Sequence, residues 1–529
     1  MTWKILVADP IHESGWEILR GADDVNVAGP FASRSALLKA LPQADALVVR
    51  SGTQVDERLL AAAPRLKAVA RAGIGWDNID MEAATRRGVM VLHVPEANVA
   101  AVAEHTWGML LALVRHIPQG YQAVRDGDWP RHQVLGVQLA GKTLGIVGFG
   151  RVGRAVAAQG QAFGMHVLVY DPYVELSVAR QHGVEMTSLN ELLHRADVVT
   201  LHAVHTPQTH HLMNTEAFAQ MKPTAYLVNC AHAGLVDETA LLAALNQGHL
   251  AGAALDTLTQ EPPPADHPLR HHPRVVLVPH WNQNTVESQA ATSRQSVLNL
   301  LDALRGKDYR HVLNLPFGDD LPYQAAQPYL RLAAKMGKLQ GQLAEGWITH
   351  FEVELVGPGM EALVRPVAAA MLAGLIKPQR GLRVNWISAP VLAAEQGIVM
   401  AQVRGLVSRP EYPRLIAARI RWQGGDRLVA GALFGNGEAR LVQYNQFAVD
   451  AYPDGYVLVL ENHDVPGVIG RVGTLLGEAN INIGRWHYGR RGAGGKAVSF
   501  INVDAWVPPE ILSTLTEVPE IYNARLVRL

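Results

Sequence analysis

Two stretches of the chain carry residues whose types and spacing point to chemistry. In "KTLGIVGFGRVGRAVAAQGQAFGMHVLVYDPY" (142–173), Gly148, Gly150 and Gly153 stand in G-x-G-x-x-G spacing. Asp171 follows roughly 20 residues later, at the end of a second strand-like run. Gly148 permits a tight turn, Gly150 lets backbone approach a pyrophosphate, and Gly153 lets helix and strand pack closely. A helix starting at Arg151 and Val152 would aim free N–H groups and its positive dipole end at the phosphates. Asp171 can accept hydrogen bonds from both ribose hydroxyls and would repel a 2′-phosphate, so the expected ligand is NAD rather than NADP. The alternative is a glycine-rich turn that holds nothing. The second stretch, "AYLVNCAHAG" (225–234), runs a β-type apolar segment into small residues and ends beside His232. Such a strand end can deliver its polar residue to an active site, or fill space, or mark a site that has lost its chemistry.

The elements that must position these residues follow from the pattern of apolar runs. "KILVAD" (4–9), "ALVVRS" (46–51), "KAVARAG" (67–73) and "VMVLHVP" (89–95) read as buried strands alternating with helical segments. That alternation predicts a parallel sheet with crossover helices. "AVAEHTWGMLLALVRHIPQGYQAVRDG" (101–127) reads as one long, largely buried helix. A second alternating unit runs from Lys142 to about Pro279. After 311–324 the texture changes to a long helix and mixed β and helical patterns. The last segment, 455–529, reads β-α-β-β-α-β, the ferredoxin-like order.

Composition bounds the function. At 529 residues the chain has room for three or four domains. Its formal net charge of −1, with no long basic run, argues against nucleic acid or an anionic membrane as the main partner. One cysteine, Cys230, excludes an intrachain disulfide and suits a reducing, cytoplasmic setting. The N-terminus turns polar too early for a signal peptide, and no apolar run reaches the about 18 residues that spanning needs.

The quoted stretches, with "VVRSGTQV", "RAGIGWDNID", "AEHTWGMLLALVRHIPQG", "VDETALLAALNQGHLAGAALDTLTQEPP" and "VVLVPH", resemble the D-2-hydroxyacid dehydrogenase family. "VNWISAPVLAAEQGI" and "GALFGNGEARLV" resemble the intervening domain of its long-form, phosphoglycerate-oxidising branch, and "NHDVPGVIGRVGTLLGEANINI" resembles an ACT domain. The resemblance covers nearly the whole chain. It implies an α/β protein with two doubly wound, Rossmann-like parallel sheets, an α+β intervening domain and a ferredoxin-like ACT domain. The implied boundaries are 1–97 with 285–314 for the substrate-binding body, 98–284 for the NAD domain, 315–452 and 453–529.

The resemblance also implies roles. His280 is the expected general acid/base, with Glu261 as its partner. An imidazole works near neutral pH, and a carboxylate orients it and stabilises its cation. Where the family reads Asn-Cys-Ala-Arg-Gly-Gly, this chain reads Asn229-Cys230-Ala231-His232-Ala233-Gly234. The arginine would grip the substrate carboxylate with a permanent forked charge, and losing one preorganised donor costs roughly 10²–10³ in rate. Trp281-Asn282-Gln283-Asn284 and Ala203-Val204 also depart from the family pattern. Arg50, Arg71 and Arg131 are expected at the substrate phosphate, Gly73, Ile74 and Gly75 at its carboxylate, and Asn98 along the cleft. Ala231 and Asp256 are expected near the nicotinamide, and Asn462, Asp464 and Asn482 at an effector such as L-serine. No metal is called for. The implied reaction is NAD-dependent oxidation of 3-phosphoglycerate by a homo-oligomer, expected to be a tetramer. Left open beside it are a catalytically impaired, NAD-binding amino-acid sensor and a dehydrogenase for another D-2-hydroxyacid.

Overall fold

The computed structural model describes residues 2–131, 134–318, 321–376, 383–407, 412–435 and 437–529. The chain forms two compact units, Met1–Val94 with Arg294–Leu529, and Pro95–Ser293.

The first unit opens with five parallel strands in the order Val25–Ala28, Trp3–Val7, Ala46–Val49, Ala68–Arg71 and Met90–Leu92. Ala46–Val49 and Ala68–Arg71 are buried along their whole length, as strands covered by helices on both faces must be. Val297, Leu300, Leu301 and Leu304, far along the chain, share one core with Ile5, Val7, Val48 and Ala70. Beyond them, the helices Tyr323–Leu343 and Val364–Leu375 pack in one core with a six-stranded mixed sheet spanning 348–451. The final sheet is antiparallel, ordered Ile483–Arg490, Lys496–Val503, Tyr456–His463 and Ile521–Arg528. The helices Val468–Glu478 and Pro509–Glu517 share its core, giving the β-α-β-β-α-β order that the sequence predicts.

The second unit is built on seven parallel strands in the order Val275–Leu277, Gly252–Leu255, Tyr226–Asn229, Val198–Leu201, Thr143–Val147, His166–Tyr170 and Glu185–Met186. The strand order turns back between Thr143–Val147 and Val198–Leu201. At such a switch point the loops diverge and leave a crevice beyond the carboxyl ends of the strands. The stretch read as one helix over 101–127 is two, Val99–Val114 and Ile117–Arg125. His116 between them is left-handed at φ 52°, and Pro118, which cannot donate a backbone hydrogen bond, stands in the first turn of the second helix. The first helix packs Trp107, Leu110 and Leu113 in the core with Leu144 and Ile146. The second buries nothing and leaves Ile117, Tyr121 and Val124 exposed. Apolar content alone therefore misjudged its burial. Among the described residues no helix is long and apolar enough to cross a membrane.

Candidate active site

The glycine turn lies at the switch point. Gly148 adopts φ 95°, and a Cβ there would come within 2.6 Å of the backbone of His202 and Ala203. Only glycine satisfies both the conformation and the contact. A Cβ on Gly153 would lie 2.2 Å from the Gly148 carbonyl oxygen, so the helix Arg151–Ala162 reaches its strand only through a glycine. Gly150 caps that helix with no side chain and has open space around it. Free N–H groups therefore face room for an anion. Asp171 Oδ2 accepts the Phe149 N–H at 2.8 Å and Oδ1 the Tyr173 N–H at 2.9 Å. Each oxygen keeps acceptor capacity for a diol. Arg151 pairs with Glu96 at 2.8 Å, and Val152 packs partly into the core. A turn, an uncapped helix end and a fixed carboxylate suit a dinucleotide.

His280 and Glu261 meet beyond the ends of two neighbouring strands, Gly252–Leu255 and Val275–Leu277. His280 Nδ1 is 2.9 Å from Glu261 Oε2, and both side chains are less than half exposed. Glu261 Oε1 also accepts from the Thr257 hydroxyl at 2.7 Å and the Leu258 N–H at 3.1 Å. Burial opposes its charge, but the Thr257 and His280 hydrogen bonds outweigh that and hold the carboxyl below its usual pKa. His280 stands at φ 56°, and its N–H donates to the Asp256 carbonyl. Asp256 itself is fully buried. Its carboxylate accepts from His105 Nε2 at 3.0 Å and from the backbone N–H groups of Trp281 and Asn282 at 2.7 and 3.1 Å. Asp256 thus ties down the loop that carries His280.

His232 leaves the strand Tyr226–Asn229 through a loop folded by Asn229, whose carboxamide bonds the Ala231 N–H and the His232 carbonyl. His232 Nδ1 accepts the Gly234 N–H at 3.0 Å, and its ring stacks on His205 at a centroid distance of 4.4 Å. Cys230, beneath this loop, is buried, which pushes its thiol up to about 12. Asn282 donates to the Cys230 carbonyl at 2.8 Å. Buried Asn98 donates to Gln283 at 3.1 Å, and its Oδ1 has no partner among the described residues. Arg131 lies on an exposed turn.

In the other unit, Arg71 is buried, and its guanidinium crosses the face of Gly73, where a Cβ would overlap it. Burial first, then the neighbouring Arg50 charge, pull its pKa down from the usual value. Two cations so close suit a polyanion. The Arg50 loop is fixed by Asp9, which accepts the Arg50 N–H at 2.6 Å, and by Asn78, which donates to the Arg50 and Thr53 carbonyls at 2.7 Å. His93 Nδ1 lies 3.0 Å from the Ile74 carbonyl oxygen, holding the segment of Gly73, Ile74 and Gly75. In the last sheet, Asn462 donates to the Tyr488 hydroxyl, which donates to Asp464 at 2.9 Å. Asn482 pairs instead with Asp504 at 2.7 Å. Sequence reasoning missed Asp9, Asn78, His105, Thr257 and His205. Asp9 and His105 each sit in a quoted stretch, but their partners are distant in the chain.

Three family models match the chain. They are the D-isomer specific 2-hydroxyacid dehydrogenase NAD binding domain over 107–282, the D-3-phosphoglycerate dehydrogenase intervening domain over 325–445, and the ACT domain over 456–520. D-3-phosphoglycerate dehydrogenase of Synechocystis is 37% identical over 527 residues, covering 99% of this chain and 95% of that one. The enzyme of the same name from Bacillus subtilis is 35% identical over 527 residues, covering both chains completely. Among solved structures, the TT0316 protein of Thermus thermophilus matches 59% of this chain and 99% of its own, at 36% identity and TM-score 0.54. D-lactate dehydrogenase of Aquifex aeolicus, complexed with NAD and lactic acid, matches 57% of this chain and 96% of its own, at 29% identity and TM-score 0.51.

Proposed function

The chain belongs to the D-3-phosphoglycerate dehydrogenases, and from that premise we propose that it oxidises 3-phospho-D-glycerate to 3-phosphohydroxypyruvate with NAD, the reaction that opens L-serine synthesis. The observation that carries this reading is the 2.9 Å contact between His280 Nδ1 and Glu261 Oε2 beyond the strand ends of a nucleotide-binding sheet. When bound along Gly148, Gly150 and Gly153, NAD supplies the acceptor for the C2 hydride. His280 takes the proton of the C2 hydroxyl on its Nε2, because Nδ1 is committed to Glu261. Glu261 stays ionised and steadies the imidazolium that forms. Asp171 holds the adenosine ribose, with Arg151, Val152 and Ala231 bordering the cofactor. Asp256 fixes the loop beneath the nicotinamide end.

The substrate roles follow charge. Arg50, Arg71 and Arg131 are assigned to the phosphate. The N–H groups of Gly73, Ile74 and Gly75 receive the carboxylate, and His232 supplies the donor that an arginine supplies elsewhere in the family. Asn98, whose buried Oδ1 has no partner among the described residues, is assigned to the substrate cleft. Steady-state rates on a panel of phosphorylated and plain D-2-hydroxyacids test this. Arg50→Ala and Arg71→Ala should raise KM for 3-phosphoglycerate at least tenfold while barely changing the rate on D-lactate. Equal effects on both substrates would remove the phosphate from the reading.

The ACT segment supports regulation by a small amino acid, and we assign L-serine to Asn462, Asp464 and Asn482 in a paired, homotetrameric assembly. Buried Asn462 has an Oδ1 with no partner among the described residues. Arg490 and Tyr488 hold the Asp464 carboxyl below its usual pKa, so it stays an anion able to meet an ammonium.

A further inference from the structure

The loop 202–211 carries four histidines at 202, 205, 210 and 211, and His205 sits directly on His232. The two rings are nearly parallel, 9° apart, with centroids 4.4 Å from each other. His205 Nε2 lies 3.1 Å from His210 Nδ1, so His205 is itself held from behind. It also covers Gly234, where a Cβ would come 2.5 Å from His205 Nε2. The two loops are sewn together by backbone. The His211 N–H donates to the Gly234 carbonyl at 2.8 Å, and Met213 and Leu235 and then Asp237 and Met213 continue the ladder. Among the described residues no group of three or more His, Cys, Asp and Glu is placed to hold a metal ion.

A histidine ring turns about a broad, roughly two-fold torsion, so the Gly234 contact by itself does not fix its plane. The Gly234 N–H selects which edge of His232 faces the backbone, because only an unprotonated Nδ1 can accept it. The neutral ring then carries its proton on Nε2. The His205 face selects the plane. A guanidinium brings several donors and needs no such help; an imidazole brings one, and its direction decides its worth.

We propose that His205 is a positioning residue of the substrate-anion site, holding the His232 imidazole flat and single-tautomer so that Nε2–H acts as one fixed neutral donor in place of the family's arginine. This rests on the reading of His232 given under Proposed function. His205 contacts His232 and not the substrate.

The test compares His205→Ala, His205→Phe and His205→Gln in the full-length enzyme. His205→Ala is expected to raise KM for 3-phosphoglycerate about tenfold, the scale of one lost hydrogen bond, with Tm and the Kd for NAD unchanged. His205→Phe keeps a flat partner and is expected to recover most of that loss. His205→Gln keeps a bond to His210 without a ring and is expected not to. An unchanged KM in His205→Ala overturns the proposal. So does a KM loss that is matched by losses in NAD affinity and Tm and not recovered by phenylalanine, which marks a general structural role. If the wild-type enzyme shows no turnover, the functional reading fails on its own. A crystal structure of His205→Ala then still decides the positioning role: a reoriented or disordered His232 ring supports it, and a ring still bonded to Gly234 in the same plane overturns it.

Discussion

His280 is useful as a base only while Glu261 stays charged and in place. The carboxylate accepts three hydrogen bonds, from Thr257, Leu258 and His280. Its pKa is depressed in the folded state. The interaction it provides is therefore complete above the usual carboxylate range and is lost only as pH falls through the lower folded value. Between pH 6 and 9 its titration leaves the rate untouched. Glu261→Gln keeps size and hydrogen-bonding capacity but removes the charge facing the imidazolium, and kcat should fall on the order of 10²-fold with Tm shifted little. A rate within twofold of wild type, measured by NADH absorbance, would contradict the assigned role. At this scale the sequence was only partly legible. Glu261 and His280 stand 19 residues apart, a spacing with no meaning without a family pattern to place them. The clamp formed by His105 and Asp256 joins residues 151 apart, and only the folded sheet brings them together.

The glycine turn makes a prediction about elements rather than side chains. Gly153 and Gly150 belong to one motif but face different surroundings: backbone at 2.2 Å for the first, open space for the second. Gly153→Ala should separate helix from strand and lower Tm by several degrees, in line with overpacking costs of about 1–3 kcal/mol. Gly150→Ala should leave Tm within error and weaken NAD binding, since the methyl group enters the space left for a phosphate. Thermal melts and fluorescence titration with NAD separate the two; similar melting losses for both would refute the distinction. Strands and crossover helices were largely readable here, because buried parallel strands appear as short apolar runs bounded by polar residues. The break at His116 was not, since an apolar run continues across it while the backbone turns left-handed.

For the whole molecule, stability in acid should carry the mark of His202, a ring next to the cofactor turn. Burial pushes its pKa down to about 4, against 6.5 for the free side chain. The unfolded chain thus binds a proton between these values that the folded chain refuses. Stability is then full above about pH 6.5 and falls as pH drops toward 4, by up to about 3 kcal/mol. His202→Gln should flatten that acid limb in urea unfolding curves taken from pH 7 to pH 4; an unchanged slope would mean the ring protonates freely in the folded state. The two parallel sheets and the terminal β-α-β-β-α-β unit were readable because each segment has its own periodicity, whereas the six-stranded sheet between them showed only as mixed β and helical patterns. What was not readable is the set of long-range contacts that adapt the site to this chain, the stacking of His205 on His232 above all.

The central claim is that one imidazole, backed by one carboxylate, drives NAD-linked oxidation of a phosphorylated hydroxyacid. The most direct measurement is the appearance of NADH by its absorbance, with wild-type and His280→Ala enzyme given 3-phosphoglycerate and NAD at alkaline pH. The expected result is steady turnover by the wild type and a loss of at least about 10²-fold in the variant, with NAD affinity unchanged. Turnover in the variant equal to that of the wild type, or no NADH from either, would contradict the account.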